Sequence, residues 1–309
     1  MILSASRRTD IPAFYSEWFI NRIKAGYLCV RNPMNIHQAS RISPLNPDTI
    51  DGIVFWSKNP APMIKHLDEL AGYTYYFQFT LNAYGQDIEP NLPCLDDRIR
   101  TLQALSRHIG HRRVIWRYDP ILFTDRYTLE FHAEAFRKLA ARLSGYTDSC
   151  VISFLDHYRH IAADIRALGI EDDNYQKQRV LAEKFSLAAK GYGLSLETCA
   201  EKIDLSEFGI GHSHCIDKAR LEELGHFTLK IGKDKNQRKE CGCFESVDVG
   251  EYDTCRHGCI YCYATRRRRT VDHDPESPFL QGQGHDVNRM TERRAVSQRD
   301  NQTTLLFPE

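Results

Sequence analysis

The stretch GIVFWSKN, residues 52–59, contains the pattern on which the predicted fold depends. An apolar run with β-branched and aromatic residues gives way directly to the polar Ser57, Lys58 and Asn59. Short runs of this kind are typical of buried β-strands. Six further runs have the same character: MILSAS (1–6), YLCVRN (27–32), YYFQFTLN (75–82), RVIWRYDP (113–120), CVISFLD (150–156) and LSLETCAE (194–201).

Segments with helical periodicity separate several of these runs. Residues 96–109 begin with two acids and carry apolar side chains at roughly helical spacing, which predicts an amphipathic helix. Residues 128–143 and 174–191 behave similarly. Strands that alternate with helices build parallel sheets with right-handed crossovers. We therefore predict an α/β fold, a TIM-like (β/α) barrel that is complete or nearly so, with a C-terminal Cys-rich cluster loop.

Each predicted strand ends in polar residues. The carboxyl ends of parallel strands meet at one face of a barrel, and this face carries the active site. The alternative is that these are ordinary loop residues, since loops are polar in any case. The set comprises Arg7, Arg8, Asp10, Arg31, Asn32, Ser57, Lys58, Asn59, Gln78, Thr80, Asn82, Arg117, Asp119, Ser153, Asp156, Glu197 and Cys199.

The pattern changes after residue 200. The pattern of residues 217–225 predicts one more helix, and the run that follows, residues 226–231, predicts a short strand. We divide the chain into a barrel over 1–232, a Cys-rich segment over 233–270 that covers the carboxyl face of the barrel, and a polar, poorly ordered tail over 271–309.

The composition excludes several classes of protein. The 309 residues include 41 basic and 41 acidic side chains, and 42% are hydrophobic, which argues against bulk disorder and against a polyanion-coating protein. No apolar run approaches the ~20 residues that span a bilayer, and the N-terminus lacks the features of a signal peptide. We predict a cytoplasmic protein without membrane contact. The basic run at 266–269 has no aromatic partners, which argues against nucleic acid as a partner.

The strongest chemical signal is the stretch TCRHGCIYCYA, residues 254–264, which places Cys255, Cys259 and Cys262 within eight residues. In a reducing compartment, clustered thiols indicate metal binding or catalysis more often than disulfides. Three thiolates at C-x3-C-x2-C can hold three corners of a 4Fe–4S cluster and leave one iron open. A structural zinc, or an ordinary cluster with no further ligand, remains the alternative. Tyr261 offers a ring that could pack against an adenine.

This signature resembles that of radical S-adenosylmethionine (SAM) enzymes, and CRHGCIYCYA resembles the cluster loop of spore photoproduct lyase and its relatives. The chain is also similar to a bacterial family classed as a domain of unknown function, whose members carry such a cysteine cluster near the C-terminus. That likeness rests on SRRTDIPAF, FWSKNP, RYDPI, SFLD and CGCFESVDVGEYDTCRHGCIYCYA. It implies a 4Fe–4S cluster that cleaves SAM reductively, hydrogen abstraction from an unknown substrate, small or macromolecular, and an electron donor such as a flavodoxin or ferredoxin.

Other candidate site residues follow from the strand ends. Arg7, Arg8 and Asp10 could bind a carboxylate or phosphate of SAM or substrate, or form an internal Arg–Asp pair. Asp119 and Asp156 could bind ribose hydroxyls or substrate amines, and Asp119 is also a candidate catalytic group. The candidate general acid or base is Glu197, two residues before Cys199.

A second metal site is a further hypothesis. Cys199, Cys215, Cys241 and Cys243 lie near one another in sequence, and CGC at 241–243 puts two thiols on one side of an extended segment. Four thiolates would complete an auxiliary iron–sulfur cluster or a tetrahedral zinc site. Buried thiols without metal are the alternative.

Three functions therefore stay open. The first is a radical SAM-like enzyme of unknown substrate. The second is a nucleic-acid lesion repair lyase of the photoproduct-lyase type. The third is a non-enzymatic protein that binds iron–sulfur or zinc and serves in binding or electron transfer.

Overall fold

The structure is a computed structural model that describes residues 1–171, 174–266 and 270–300. Its strands are β1 (Ile2–Ala5), β2 (Leu28–Asn32), β3 (Asn35–Ser43), β4 (Gly52–Ser57), β5 (Tyr75–Thr80), β6 (Val114–Ile121), β7 (Ser149–Phe154), β8 (Ser195–Thr198), β9 (Gly211–His212), β10 (Val247–Asp248) and β11 (Arg289–Arg294). Its α-helices are α1 (Ile11–Phe14), α2 (Ser16–Ala25), α3 (Ala61–Ile64), α4 (Leu95–Ile109), α5 (Leu129–Leu143), α6 (Ala162–Ala167), α7 (Tyr175–Gly191) and α8 (Lys218–Gly225).

Eight strands form one large parallel sheet in the order β10-β1-β4-β5-β6-β7-β8-β9. The α/β prediction is confirmed at this level. The edge strands β9 and β10 are not hydrogen-bonded to each other in the part of the chain that the structure describes. We call the gap between them the seam. A closed barrel therefore stays a prediction.

Both faces of this sheet are covered. On one face, aromatic strand residues such as Phe55, Phe77 and Trp116 belong to a large core with the helices. Side chains that alternate with them, such as Val54, belong to a second core on the opposite face. That core includes Leu221 of α8. Burial on both faces explains why these strands are near-continuous apolar runs.

The predicted helices are confirmed by α4, α5, α7 and α8, which match the expected segments to within one residue. Their starts follow from local chemistry. Thr128, Asn174 and Asp217 each accept a hydrogen bond from a backbone N–H in the first turn of α5, α7 and α8 respectively. Such caps satisfy amide groups that have no partner within the helix.

One predicted barrel strand belongs elsewhere. The run at 27–32 forms β2, which pairs antiparallel with β3 and lies in a separate three-stranded sheet, β11-β3-β2. The reason is the connection to β3, which is only residues 33–34. Two residues can join antiparallel neighbours, whereas parallel strands need a crossover of a dozen or more residues.

The C-terminal predictions also require correction. Residues 226–231 form no regular strand. Leu229 makes an isolated antiparallel bridge with Arg299, and the N–H of Lys230 donates to the carbonyl of Gln298 (2.7 Å), so this segment pairs with the tail and not with the large sheet. The final strand of the large sheet is β10 instead. The described part of the tail that was predicted to be poorly ordered, 271–300, pairs β11 in parallel with β3 and buries Phe279 and Ala295. Residues 301–309 lie outside the described residues.

No helix in the described part of the chain is both long enough and apolar enough to cross a membrane.

Candidate metal centre and active-site cavity

A cavity of about 560 Å³ lies at the carboxyl ends of the parallel strands. Residues that follow β1, β4, β7 and β8 line it, together with the end of β6 and the loops on both sides of β10. Seven of the ten cysteines contribute to this lining: Cys199, Cys215, Cys241, Cys243, Cys255, Cys259 and Cys262. The metal-ligand candidates thus share one cavity at the face where parallel folds carry their active sites.

Residues 254–264, which we call the cluster loop, reach the cavity from the end of β10. This strand pairs in parallel with β1, and the backbone N–H of Val249 then donates to the carbonyl of Ser4 (2.9 Å). The chain therefore enters the cluster loop beside the end of the first strand of the sheet.

The residues between the three thiols of the cluster loop are bound to the surrounding protein. Nδ2 of Asn91 donates to the carbonyl of Arg256 (2.9 Å), and the N–H of Ile260 donates to the carbonyl of Ile88 (3.1 Å). Nε2 of His257 is 2.7 Å from Oδ2 of Asp10, which is 5% exposed. These contacts hold the loop in place while all three cysteines line the cavity.

A buried polar cluster fixes the end of the loop. The Glu89 carboxylate, 2% exposed, contacts Nζ of Lys58 (2.9 Å) and Nη1 of Arg98 (3.1 Å). The Tyr261 hydroxyl donates to Glu89 and accepts from Lys58 (2.7 Å). Burial alone would raise the pKa of Glu89, but Lys58 and Arg98 outweigh burial and lower it. Glu89 is therefore an ionised acceptor that orients Tyr261.

Burial controls the protonation of the loop thiols. It raises the pKa of Cys255 well above its usual range and that of Cys259 to about 12. The neighbouring thiol of Cys262 adds to both shifts. Protons therefore occupy these sulfurs at neutral pH unless a cation takes their place, which is the coupling expected of metal ligands.

Cys199, Cys215, Cys241 and Cys243, which we call the four-thiol group, also lie together. Sγ of Cys199 is 3.2 Å from Sγ of Cys215. Cys215 and Cys243 share a side-chain hydrogen bond, as do Cys243 and Cys241, and the second contact lowers the pKa of Cys241 to about 7. The four sulfurs thus form a continuous chain of neighbours.

Neither thiol set is arranged as a finished metal site. Among residues 1–171, 174–266 and 270–300, no group of three or more His, Cys, Asp or Glu side chains has the arrangement that holds an ion. A Cys sulfur is positioned by the single torsion χ1, and rotation between staggered positions moves it without moving the backbone. The donor chemistry of both sets suits thiophilic metals.

The structure brings most of the predicted site residues to the cavity. Arg7, Arg8, Asp10, Asp119, Asp156 and Tyr261 all line it. Glu197 is not among the lining residues. Burial raises the pKa of Glu197, which has a side-chain hydrogen bond with Ser213. Its predicted acid–base role has no support from this position.

The carboxylates at the cavity differ in how many of their hydrogen-bond acceptor positions are already used. Asp10 is fully used, since it accepts from the backbone of Ala13 and Lys58 and contacts His257. Asp156 pairs with Arg238 (2.6 Å). Asp119 binds Arg117 and accepts from the Ser153 hydroxyl. The net effect on Asp119 is a lowered pKa. Burial acts to raise this pKa, and the interaction with Arg117 opposes burial.

The two arginines after β1 differ in how many of their N–H donors are already used. Arg8 Nη1 donates to the carbonyl of Gly250 (3.4 Å), and Arg8 Nε also lies 4.0 Å from Oδ1 of Asp248. The Arg7 guanidinium donates to the Ser246 hydroxyl at 3.4 Å and lies 5.7 Å from the ring centre of Trp56. Arg7 keeps the most donor capacity toward the cavity, because one long hydrogen bond uses little of its planar fork.

Sequence reasoning missed the residues that hold the cluster loop. Glu89, Asn91 and Arg98 lie outside the predicted strand ends, and no motif distinguishes them. His257 lies inside the cysteine motif, so its position was a signal that could have been used. The buried state of Glu89 and its two cations is a product of tertiary packing.

Comparisons with known proteins identify the family of the chain and give no further functional information. The chain matches no curated protein. Among solved structures, a crystal structure from Bacteroides thetaiotaomicron, assigned provisionally as an alpha-L-fucosidase, has 12% sequence identity and a TM-score of 0.26, and covers 59% of this chain and 81% of that chain. We draw no argument from a likeness this weak. The family model described as Domain of unknown function (DUF1848) matches residues 2–264, most of the chain, which therefore belongs to this family.

Proposed function

We propose that the protein is a radical SAM-type enzyme in which Cys255, Cys259 and Cys262 hold a 4Fe–4S cluster at the cavity. The observation that carries this proposal is the combination of three cavity-lining thiols with intervening residues that are bound by Asn91 and Asp10. A loop that the surrounding protein already holds can present three ligands without requiring a fourth. When bound, such a cluster supplies the electron for reductive cleavage of SAM.

The residues of this chain would contribute binding, orientation and exclusion of water. We propose Arg7 as the residue that binds a carboxylate or phosphate at the cavity, because its guanidinium fork is the least used. Asp119 would be the acceptor for a hydroxyl or amine, held ionised by Arg117. Tyr261 would contribute the face of its ring, since its hydroxyl is occupied by Glu89 and Lys58.

We also propose that the sheet closes as a barrel around the cavity. Support comes from the second core, in which side chains of β1, β4, β5, β6 and β7 surround Ile216 and Leu221. A sheet whose strands pack around one central segment is curved toward closure. A cytoplasmic location and a small electron-transfer protein as reductant are part of the same proposal.

The test uses anaerobically reconstituted full-length protein. We expect a brown protein with about four irons from the cluster loop, which forms 5′-deoxyadenosine from SAM and dithionite. A variant with Cys255→Ala, Cys259→Ala and Cys262→Ala, the triple-Ala variant, should lose about four irons and fall to background product. Cys94→Ser is the matched control, because Cys94 is exposed and outside the cavity lining.

Two results would overturn the proposal. One is a colourless wild-type protein that contains zinc and forms no 5′-deoxyadenosine, which would favour a non-enzymatic metal protein. The other is product formation that survives in the triple-Ala variant. Salt-dependent binding of oligonucleotides by an active wild-type enzyme would instead direct the substrate search to nucleic-acid lesions.

A further inference from the structure

The seam between β9 and β10 is where the large sheet ends on both sides. Residues 213–246 connect these two edges, and they fold back on themselves at the seam. The N–H of Phe244 donates to the carbonyl of Ile216 (3.1 Å), and the N–H of Ile216 points to Sγ of Cys243 (3.4 Å). The described residues contain no ladder between the two edges, so contacts within this connection link the edges in place of strand pairing.

The four-thiol group lies at this seam. Cys199 follows β8, Cys215 follows β9, and the other two thiols precede β10. Three segments that are separate in sequence therefore bring four thiols into contact. The Nδ1 atoms of the two histidines near Cys215 are used in hydrogen bonds, since His212 Nδ1 is 3.1 Å from the Thr198 hydroxyl and His214 Nδ1 is 2.6 Å from the carbonyl of Gly242.

We infer that the four-thiol group binds one zinc ion, and that this ion joins the two open edges of the sheet. Zinc–thiolate bonds of ≈ 2.3 Å in a tetrahedron place neighbouring sulfurs about 3.8 Å apart. The 3.2 Å between Cys199 and Cys215 is close to that spacing. A four-iron cluster would need its ligand sulfurs much farther apart, because each binds a different corner of a larger body.

Charge at the site supports a tetrathiolate. Four thiolates and one Zn²⁺ carry a net charge of about −2, which is costly to bury without nearby cations. Arg117, 4% exposed, donates from Nη1 to Sγ of Cys215 (3.0 Å) and also binds Asp119. Arg7 lies near the same indole as Arg117, since the two guanidinium groups are 5.7 and 5.4 Å from the ring centre of Trp56.

The ion would take the place of missing backbone pairing. A closed parallel barrel joins its first and last strands by hydrogen bonds, whereas an open edge leaves donors and acceptors exposed. Metal–thiolate bonds from both sides of the seam hold the edges at a fixed distance. Zinc should therefore stabilise the fold whether or not the cluster loop is loaded, and this inference does not depend on the proposed function.

The experiment uses the triple-Ala variant, in which the cluster loop cannot contribute. We expect about one zinc per chain by elemental analysis, and none after Cys199→Ser and Cys215→Ser are added. Adding Cys94→Ser instead should leave zinc unchanged, because Cys94 is an exposed thiol away from the cavity.

A second measurement uses the intact four-thiol group, so that the test does not depend on folding of the double Ser variant. The triple-Ala protein is stripped with a chelator and refilled with Co²⁺. A thiolate–cobalt absorption band at one equivalent, with slower alkylation of the four thiols than in the stripped protein, supports the inference. A folded, stripped protein that takes up neither Zn²⁺ nor Co²⁺ overturns it, and so does uptake of iron with inorganic sulfide in place of a single ion.

Discussion

The three thiols of the cluster loop lie on one continuous segment, whereas the four-thiol group is assembled from three segments that are far apart in sequence. The loop thiols depend on neighbouring side chains for their position. Asn91, Asp10 and Glu89 hold the residues between and beside them. The four-thiol group is supported as well, since Tyr76 and Gln78 donate to the carbonyl of Cys215, but its sulfurs also contact one another across the three segments.

This difference indicates which role a metal would have at each of the two thiol sets. A loop that the protein already holds can keep a coordination position free for another molecule, as catalytic metal sites do. A group in which one metal joins three separate segments uses all its ligands for structure. Loss of metal should therefore remove activity at the first set and stability at the second.

The largest effect is expected from Asp10→Ala, which breaks the support of the cluster loop. The side chain of Asp10 accepts from two backbone amides and contacts His257, and it is almost fully buried. Loss of a buried acceptor costs ≈ 1–3 kcal/mol for each donor left unpaired. We expect the free energy of unfolding to fall by at least about 3 kcal/mol, measured by urea titration.

Metal content makes this prediction specific to the loop. Asp10→Ala should lose the iron of the cluster loop and keep the zinc of the four-thiol group. Asp125→Ala, a change at an exposed carboxylate, is the control and should alter neither. Iron bound at wild-type level in Asp10→Ala would show that the loop does not need this support, and the contrast between the two sets would weaken.

The next effect concerns the four-thiol group. Arg117→Met removes the guanidinium that donates to Cys215 and leaves Asp119 without its cation. Removal of a side chain that hydrogen-bonds a metal ligand typically lowers metal affinity 10–100-fold, about 1.4–2.7 kcal/mol. We expect zinc affinity, measured by competition with a chromophoric chelator, to fall within that range. Arg117→Lys should recover part of it, since the charge is kept but the planar fork is lost.

A matched arginine shows whether this effect is local. Arg113, just before β6, donates to the carbonyl of Tyr75 and does not line the cavity. Arg113→Met should leave zinc affinity unchanged. Equal zinc affinity in Arg117→Met and wild type would mean that the charge of the tetrathiolate is balanced in another way.

Much of the fold could be predicted because its signals are local. The runs at 52–57 and 75–80 are short, apolar and punctuated by polar residues, so strand type and parallel order follow from pattern and connection length. β11 gives no such signal. Its sequence RMTERR is exposed along its whole length and carries no apolar alternation, so only its pairing with β3 makes it a strand.

In the candidate site, too, some features are visible in a short stretch of sequence and others depend on the fold. The spacing of Cys255, Cys259 and Cys262 is visible in eight residues, and the closeness of Cys241 and Cys243 is visible in three. The contact of Cys199 with Cys215 depends on how β8 and β9 end side by side. The burial of Glu89 between Lys58 and Arg98 depends on packing, and a single Glu in a loop predicts nothing of the kind.

The smallest effect comes from a pair of matched glycines, one in each thiol set. Gly258 has φ +69°, and an added Cβ would lie 3.0 Å from Nδ2 of Asn91. A left-handed conformation costs a residue with a Cβ roughly 1–2 kcal/mol, so Gly258→Ala should destabilise the protein by about that amount and weaken iron binding.

Gly242→Ala should cost less, although the contact is closer. Its Cβ would lie 2.3 Å from Nδ1 of His214, but this His is exposed and can turn away. The loss is then the hydrogen bond between His214 and the carbonyl of Gly242, worth about 0.5–1.5 kcal/mol. Thermal unfolding of both variants, with and without added zinc, measures the difference. If Gly242→Ala proved the more damaging change, the four-thiol group would depend on a rigid backbone and not on its metal, which is the opposite of the contrast drawn between the two sets.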